Sequence, residues 1–155
     1  MFKNSADIKK HHKRFITEVT EKEVVWGLHS TDGWASSTAN NYDDSNGNPA
    51  EIICFWSDEK RARVCQKKYW PNYQPKSIKL NDFIENWLTG MDNERSIVGT
   101  NFDWKLFGFE AEPLMVMIEL FDHLKKSGKA LQFSKYENHD EFETLVRDIF
   151  QQYQN

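Results

Sequence analysis

Cys54 to Trp70 reads CFWSDEKRARVCQKKYW, and the fold turns on where this stretch divides. Glu51 to Trp56, EIICFW, is a short apolar run of β type. Ser57, Asp58 and Glu59 follow it, and then Ala62, Cys65 and Tyr69 recur at helical spacing. Ser57-Asp58 is either chemistry or the start of a helix. A serine hydroxyl at a helix N-cap accepts from the open N–H groups of the first turn. Asp58 and Glu59 then lie where the helix dipole favours negative charge. A helix start therefore accounts for all three residues without any reaction. Pro71 ends the helix or forms the turn after it. The stretch is read as a strand-to-helix corner capped by Ser57 and anchored by Phe55 and Trp56.

Upstream, Ser5 is the expected cap of a helix to about Thr20, with Ile8, Phe15, Ile16 and Val19 on one stripe. Val24 to His29 alternates, and Asp32-Gly33 supplies a hairpin turn. Asn40 to Pro49, NNYDDSNGNP, reads as a polar surface loop. It fails as a calcium loop, because placing Gly47 at the required glycine puts Tyr42 first and Ile53 last. Downstream, Lys76 to Leu80 is a brief strand. Asn81 is the expected cap of a helix carrying Phe83, Ile84, Trp87 and Leu88, with Gly90 at its end. SIVGTNFD and KLFGFEAE form a strand pair around Asp103-Trp104. Pro113 opens another helix, and Gly128 closes it. Ala130 to Phe133, ALQF, is a candidate short strand. Asn138, with Glu141 three residues on, caps a last helix striped by Phe142, Leu145, Val146, Ile149 and Tyr153.

Strands joined by short turns, with helices between some of them, give an α+β fold. The expectation is a single domain over residues 1–155, with a core at 5–127 and a C-terminal extension at 128–155. Its sheet is largely antiparallel, of about five to seven strands, with helices packed on it and an extra C-terminal helix.

The chain has 155 residues, 39% of them hydrophobic and 28% charged, which suits a folded globular protein. No apolar run nears the ~18 residues of a membrane span. The N-terminus has no apolar signal-type core. Two cysteines, Cys54 and Cys65, fit buried thiols in a reducing compartment, so cytoplasm is the expected location. Net charge is −4 but uneven, with Lys3, Lys9, Lys10, Lys13 and Arg14 at the front and an acidic tail. The overall acidity argues against a nucleic-acid partner, since phosphate affinity comes from accumulated Lys and Arg.

No G-x-S-x-G, P-loop, G-x-G-x-x-G or H-E-x-x-H pattern is present. The histidines make no i, i+4 pair, and the cysteine spacing is no zinc knuckle, so no metal site and no cofactor are expected. Glu110 and Glu112 share a strand face, but paired glutamates do acid–base work only when one is desolvated. Ser57 with Asp103 and a histidine can be drawn as a triad, but nothing in the sequence places the three together. What remains is an aromatic share of 14%, with six tryptophans that are hard to bury completely.

FWSDE at 55–59, YWPNYQPKSIKLNDFIENWLTGM at 69–91 and VGTNFDWKLFGFEAEPL at 98–114, with the hairpin VVWGLHSTDGWASS at 24–37, resemble a small bacterial family. It is the one catalogued as domain of unknown function twenty-seven-fifty. The resemblance runs from about Ser5 to Leu124. It implies a compact α+β domain of bacterial origin and assigns no catalytic residue. At pattern level the chain is also similar to the N-terminal domain of SseB-type enhanced-serine-sensitivity proteins. Class-level similarity to small acidic immunity proteins adds an analogy.

The functional expectation is a non-enzymatic protein-binding module, an immunity or regulatory protein with a toxin as one candidate partner. Trp56, Trp70, Tyr73 and Trp104, with the acidic loop Asp43-Asp44, are its candidate contact residues. The alternative is an enzyme with a polar cleft around Ser57, Asn101, Asp103, Glu110 and Glu112. A homodimer through the C-terminal helix is a further candidate assembly.

Overall fold

A computed structural model describes residues 4–154; Lys3 of the basic front lies outside them. In chain order the elements are α1 (Ser5–Lys22), β1 (Val24–Ser30), β2 (Gly33–Trp34), β3 (Ser36–Asp43), β4 (Pro49–Phe55), α2 (Glu59–Tyr69) and β5 (Gln74–Lys79). A helical rod follows, made of α3 (Leu80–Asp82), a π-helical turn (Phe83–Leu88) and α4 (Thr89–Glu94). Then come β6 (Ile97–Thr100), β7 (Phe109–Ala111), α5 (Pro113–Lys126) and α6 (His139–Gln154). The fold is α+β. One sheet has the order β2-β1-β5 and the other β3-β4-β6-β7. Every neighbour pair is antiparallel except β4 and β6, which run parallel with Cys54 opposite Gly99.

The sheets meet at the opening corner. Trp26 and Trp56 exchange backbone bonds, N–H to O, of 2.9 and 2.8 Å. Ala35 donates to Leu28 O at 2.9 Å and accepts from Cys54 N–H at 3.1 Å, so it ties β1 to β4. Side chains alternate along β4. Ile53 and Phe55 face the larger core with α1, the π turn, α5 and α6, whereas Ile52, Cys54 and Trp56 face the smaller core under α2. A strand buried on both faces explains why EIICFW is nearly all apolar.

Several local expectations are corrected by long-range partners. Asp58, not Ser57, caps α2: its Oδ1 accepts from Arg61 N–H at 2.7 Å. Ser57 is one residue too early, because its hydroxyl donates to Glu18 instead. Asn4 caps α1 in place of Ser5. Asn81 caps nothing; it lies inside the helical start and its amide donates to Gln132 O at 3.1 Å. Gly90 is interior to α4, and the chain leaves that helix at Arg95, φ 60. Asn138 Oδ1 does accept Glu141 N–H, at 2.7 Å, at the start of α6. Ala130 to Phe133 is not a strand, since Leu131 N–H is taken by His139 Nδ1 at 3.1 Å rather than by a ladder. Asn40 to Asp43 is strand, not loop, and only the tip at Asp44 to Asn48 turns.

Candidate functional site

Most of the polar residues able to do chemistry meet where α1 crosses the carboxyl ends of β4 and β6. Ser57 lies just past β4, and Thr100 ends β6 with Asn101 next in the chain. Ser57 N–H donates to Asn101 Oδ1 at 2.9 Å, and Ser57 Oγ donates to Glu18 Oε1 at 2.9 Å. Asn101 Nδ2 donates to Ser57 Oγ at 3.1 Å and to His11 O at 3.2 Å. Six residues before Glu18 on α1, His12 Nε2 sits 3.0 Å from both Glu119 oxygens, and Nδ1 sits 2.8 Å from Thr100 Oγ1. The imidazole stacks on Phe109 at 4.1 Å.

Hydroxyl, imidazole and carboxylate in a row invite comparison with a nucleophilic triad, but access decides against it. Ser57 and Thr100 are both 0% exposed, so neither hydroxyl reaches a substrate in this conformation. Glu119 accepts at Nε2, so that nitrogen carries the proton. At Nδ1 the partner is the Thr100 hydroxyl, which can give or take the proton of that bond. Every group in the network has a partner of complementary type, which is what a structural lock requires.

The other carboxylates are used elsewhere. Asp103 Oδ1 accepts from Lys105 N–H at 2.9 Å and Phe107 N–H at 3.0 Å, closing a turn. Glu110, buried on β7, accepts from Asn40 N–H at 2.9 Å and Asn41 N–H at 3.0 Å. It thereby holds the irregular part of β3, whose register shifts between Thr38 and Asp43. Glu112 precedes α5 and shares a second cleft with Tyr42, Asp92 and Arg95. Burial, then the Glu112 charge, raises the Asp92 carboxyl above its ordinary value. Ser57 and Asn101 are thus brought together, while the single cleft expected around Ser57, Asn101, Asp103 and Glu110 does not form. Glu110→Ala is expected to lower stability by about 2–4 kcal/mol, because it removes the shared acceptor of the Asn40 and Asn41 N–H groups. Urea unfolding followed by circular dichroism checks this, and a loss below about 1 kcal/mol would reject it.

The thiols are poor nucleophiles. Burial pushes the Cys65 thiol up to about 12 and Cys54 higher still, and Cys65 Sγ donates to Phe102 O at 3.2 Å. Among the described residues, no group of three or more His, Cys, Asp or Glu side chains is arranged to hold a metal.

The aromatic candidates separate by exposure. Trp56 is fully buried, its Nε1 donating to Phe102 O at 2.9 Å, and Trp70 is 8% exposed with its ring edge-on to Trp56. The expectation that these two are exposed is therefore corrected: the corner between the sheets consumes them. Tyr73 is half-buried, and Asp44 Oδ1 accepts Asn46 and Asn48 N–H groups to shape its own turn. Asp43 is exposed beside Tyr42 at the second cleft. Trp104, at 38%, does face solvent, on the loop between β6 and β7. Along α6, Phe142 and Val146 enter the core, while Leu145 and Tyr153 are exposed.

Trp104 has neighbours that the sequence reading passed over. Arg61, Val64 and Lys68 form one outward stripe of α2. Arg61, Val64 and Trp104 line a cleft of about 220 Å³ with His11, Asn101, Phe102 and Asp103. Lys68 Nζ lies 4.2 Å from the Trp104 ring centre and 5.4 Å from that of Tyr69, and Lys105 Nζ lies 5.1 Å from Trp104. Val64 and Phe107 are 51% and 49% exposed. Tyr69, expected on the inner stripe of α2, is exposed as well. The one available signal was Val64, an apolar residue on the charged face of the helix.

A family model described as "Protein of unknown function (DUF2750)" matches residues 12–120. The match spans α1 from His12 through most of α5 and leaves α6 outside. No curated protein and no solved structure matches the chain, and the likeness to the SseB-type domain has no support from these comparisons.

Proposed function

The chain belongs to the DUF2750 family, whose description assigns no activity, and on that premise we propose that it is a non-catalytic protein-binding module. Its docking face is the outer stripe of α2 with the loop between β6 and β7, and Trp104 is the anchor. One contrast carries this reading. Ser57, Thr100, Asn101 and His12 are buried and engaged with one another or with their supports, whereas Val64 and Trp104 stay exposed around one cleft and Phe107 is exposed on the same loop as Trp104. Aromatic anchors beside a partly formed pocket are the usual centre of an interface. The unpaired buried thiols suit a reducing compartment, so the bacterial cytoplasm is the proposed place of action. An immunity role is the special case in which the partner is a toxin.

Tagged protein and its Trp104→Ala and Phe107→Ala variants are expected to differ in affinity capture from the native bacterium. The parent should retain one stoichiometric protein that both variants lose, with thermal unfolding of the variants within a few degrees of the parent. Retention of the same partner by both folded variants would remove this face as the site. A structural lock without a docking role predicts that outcome.

A further inference from the structure

Building on that docking face, we infer that its occupant is an acidic segment of a partner protein. Its carboxylates would meet Lys68 and Lys105, and one apolar side chain would enter the cleft between Val64 and Trp104.

The chain as a whole is acidic, yet this face is not. Asp58 is engaged by the first turn of α2 and by Arg61 Nε at 3.1 Å, and Asp103 by two backbone N–H groups. Lys68 and Lys105 have no ion pair among the described residues. Both ammonium groups rest on the Trp104 indole, which limits their freedom and presents two unpaired positive charges about one aromatic ring. The surroundings add to this field. His11, on the cleft wall, has its pKa lowered first by burial, then by Arg61 and Arg14, with Lys10 contributing and Asp7 opposing. Acidic groups gain from such a site in rate of encounter and in selectivity. The cleft, lined by Val64 and Trp104 and about 220 Å³ in volume, has room for a single apolar side chain. A single-stranded nucleic acid also pairs basic and aromatic groups, but it needs an open ring face for base stacking. Here ammonium groups hold that ring, so the carboxylate-bearing peptide is the better fit.

The test is calorimetric titration of the full chain with a dodecapeptide of Asp and Glu around one central Phe. Its Asn/Gln counterpart and a twelve-nucleotide oligo-dT serve as comparisons. The acidic peptide should bind in the micromolar range. Binding should weaken at least ~10-fold both in the K68E/K105E variant and between ~50 and ~500 mM salt. Trp104→Ala should weaken it similarly, and the neutral peptide should not bind. Equal binding of both peptides, indifference to the charge reversal, absence of binding at millimolar peptide, or tighter binding of oligo-dT would each overturn the inference. If the peptide fails while Trp104-dependent capture persists, the docking face stands and its acidic occupant falls. Loss of both removes both.

Discussion

Gly108→Ala is expected to destabilise the protein by about 3 kcal/mol or more, at the upper end of overpacking effects. A Cβ at Gly108 would overlap Phe102 Cδ1 and lie 2.7 Å from Cε1 and Cγ of the same ring. The ring has nowhere to retreat. It is 5% exposed, and Gly99 also lies close against it, with a Cβ there 2.8 Å from Phe102 Cε1 and 2.7 Å from Ile52 Cγ2. The Phe102 carbonyl is fixed too, since it accepts from Trp56 Nε1 at 2.9 Å and Cys65 Sγ at 3.2 Å. Two glycines therefore grip one aromatic ring, and that ring seats the loop presenting Trp104 and Phe107. Urea denaturation of Gly108→Ala, Phe102→Leu and the double variant measures the coupling. The double variant should be more stable than the sum of the singles by at least about 1 kcal/mol, because a smaller side chain admits the methyl group. Additive losses, or a loss below about 1 kcal/mol for Gly108→Ala, would mean that the loop shifts easily. Trp104 would then not be held in a fixed place.

That grip also shows what the sequence made legible and what it did not. The stripes of α1, α5 and α6, the apolar run of β4 and the start at Pro113 follow from local periodicity, and the elements form where those patterns lie. Helix ends and the Asn-rich strand depend on partners far along the chain. Ser57 lost its capping role to a bond with Glu18, 39 residues away. Asn40 and Asn41 extend because Glu110 reaches them across about 70 positions. Glu85, inside the π turn, accepts Ser134 and Lys135 N–H groups at 3.1 and 2.8 Å, so a buried acid fixes the approach to α6. No window of ten or twenty residues contains those pairs. For the candidate face, Trp104 was legible as an aromatic in a turn. Lys68 and Val64 were not, because helical spacing identifies the inner stripe of α2 and says nothing about what leans on the outer one. Trp56 and Trp70 misled for a related reason: aromatic enrichment marks cores and interfaces alike, and only the meeting of two sheets assigned these to the core.

Asn101 should prove the least replaceable polar residue at the carboxyl end of β6. It adopts φ 48, a left-handed conformation that asparagine tolerates better than other residues with a Cβ. Its amide accepts from Ser57 N–H and donates to Ser57 Oγ and His11 O in a site that is 1% exposed. Asn101→Ala removes these bonds and retains a strained backbone, so a loss of about 3–4 kcal/mol is expected. Asn101→Gly loses the same bonds but relieves the strain, and should be about 1 kcal/mol less damaging. Asn101→Asp keeps the acceptor for Ser57 N–H but turns a carboxylate toward the His11 carbonyl. It should be at least as damaging as Gly at neutral pH and improve in acid, where a protonated acid regains a donor. Only the combination of left-handed backbone, one acceptor and one donor satisfies the site, and asparagine alone supplies all three. The order Gly above Ala, with Asp recovering at low pH, is read from chemical denaturation at two pH values. Should Asn101→Ala lie within about 1 kcal/mol of the parent, these hydrogen bonds would not be holding α1 to the sheet. Ser57 and Asn101 would then again be candidates for chemistry.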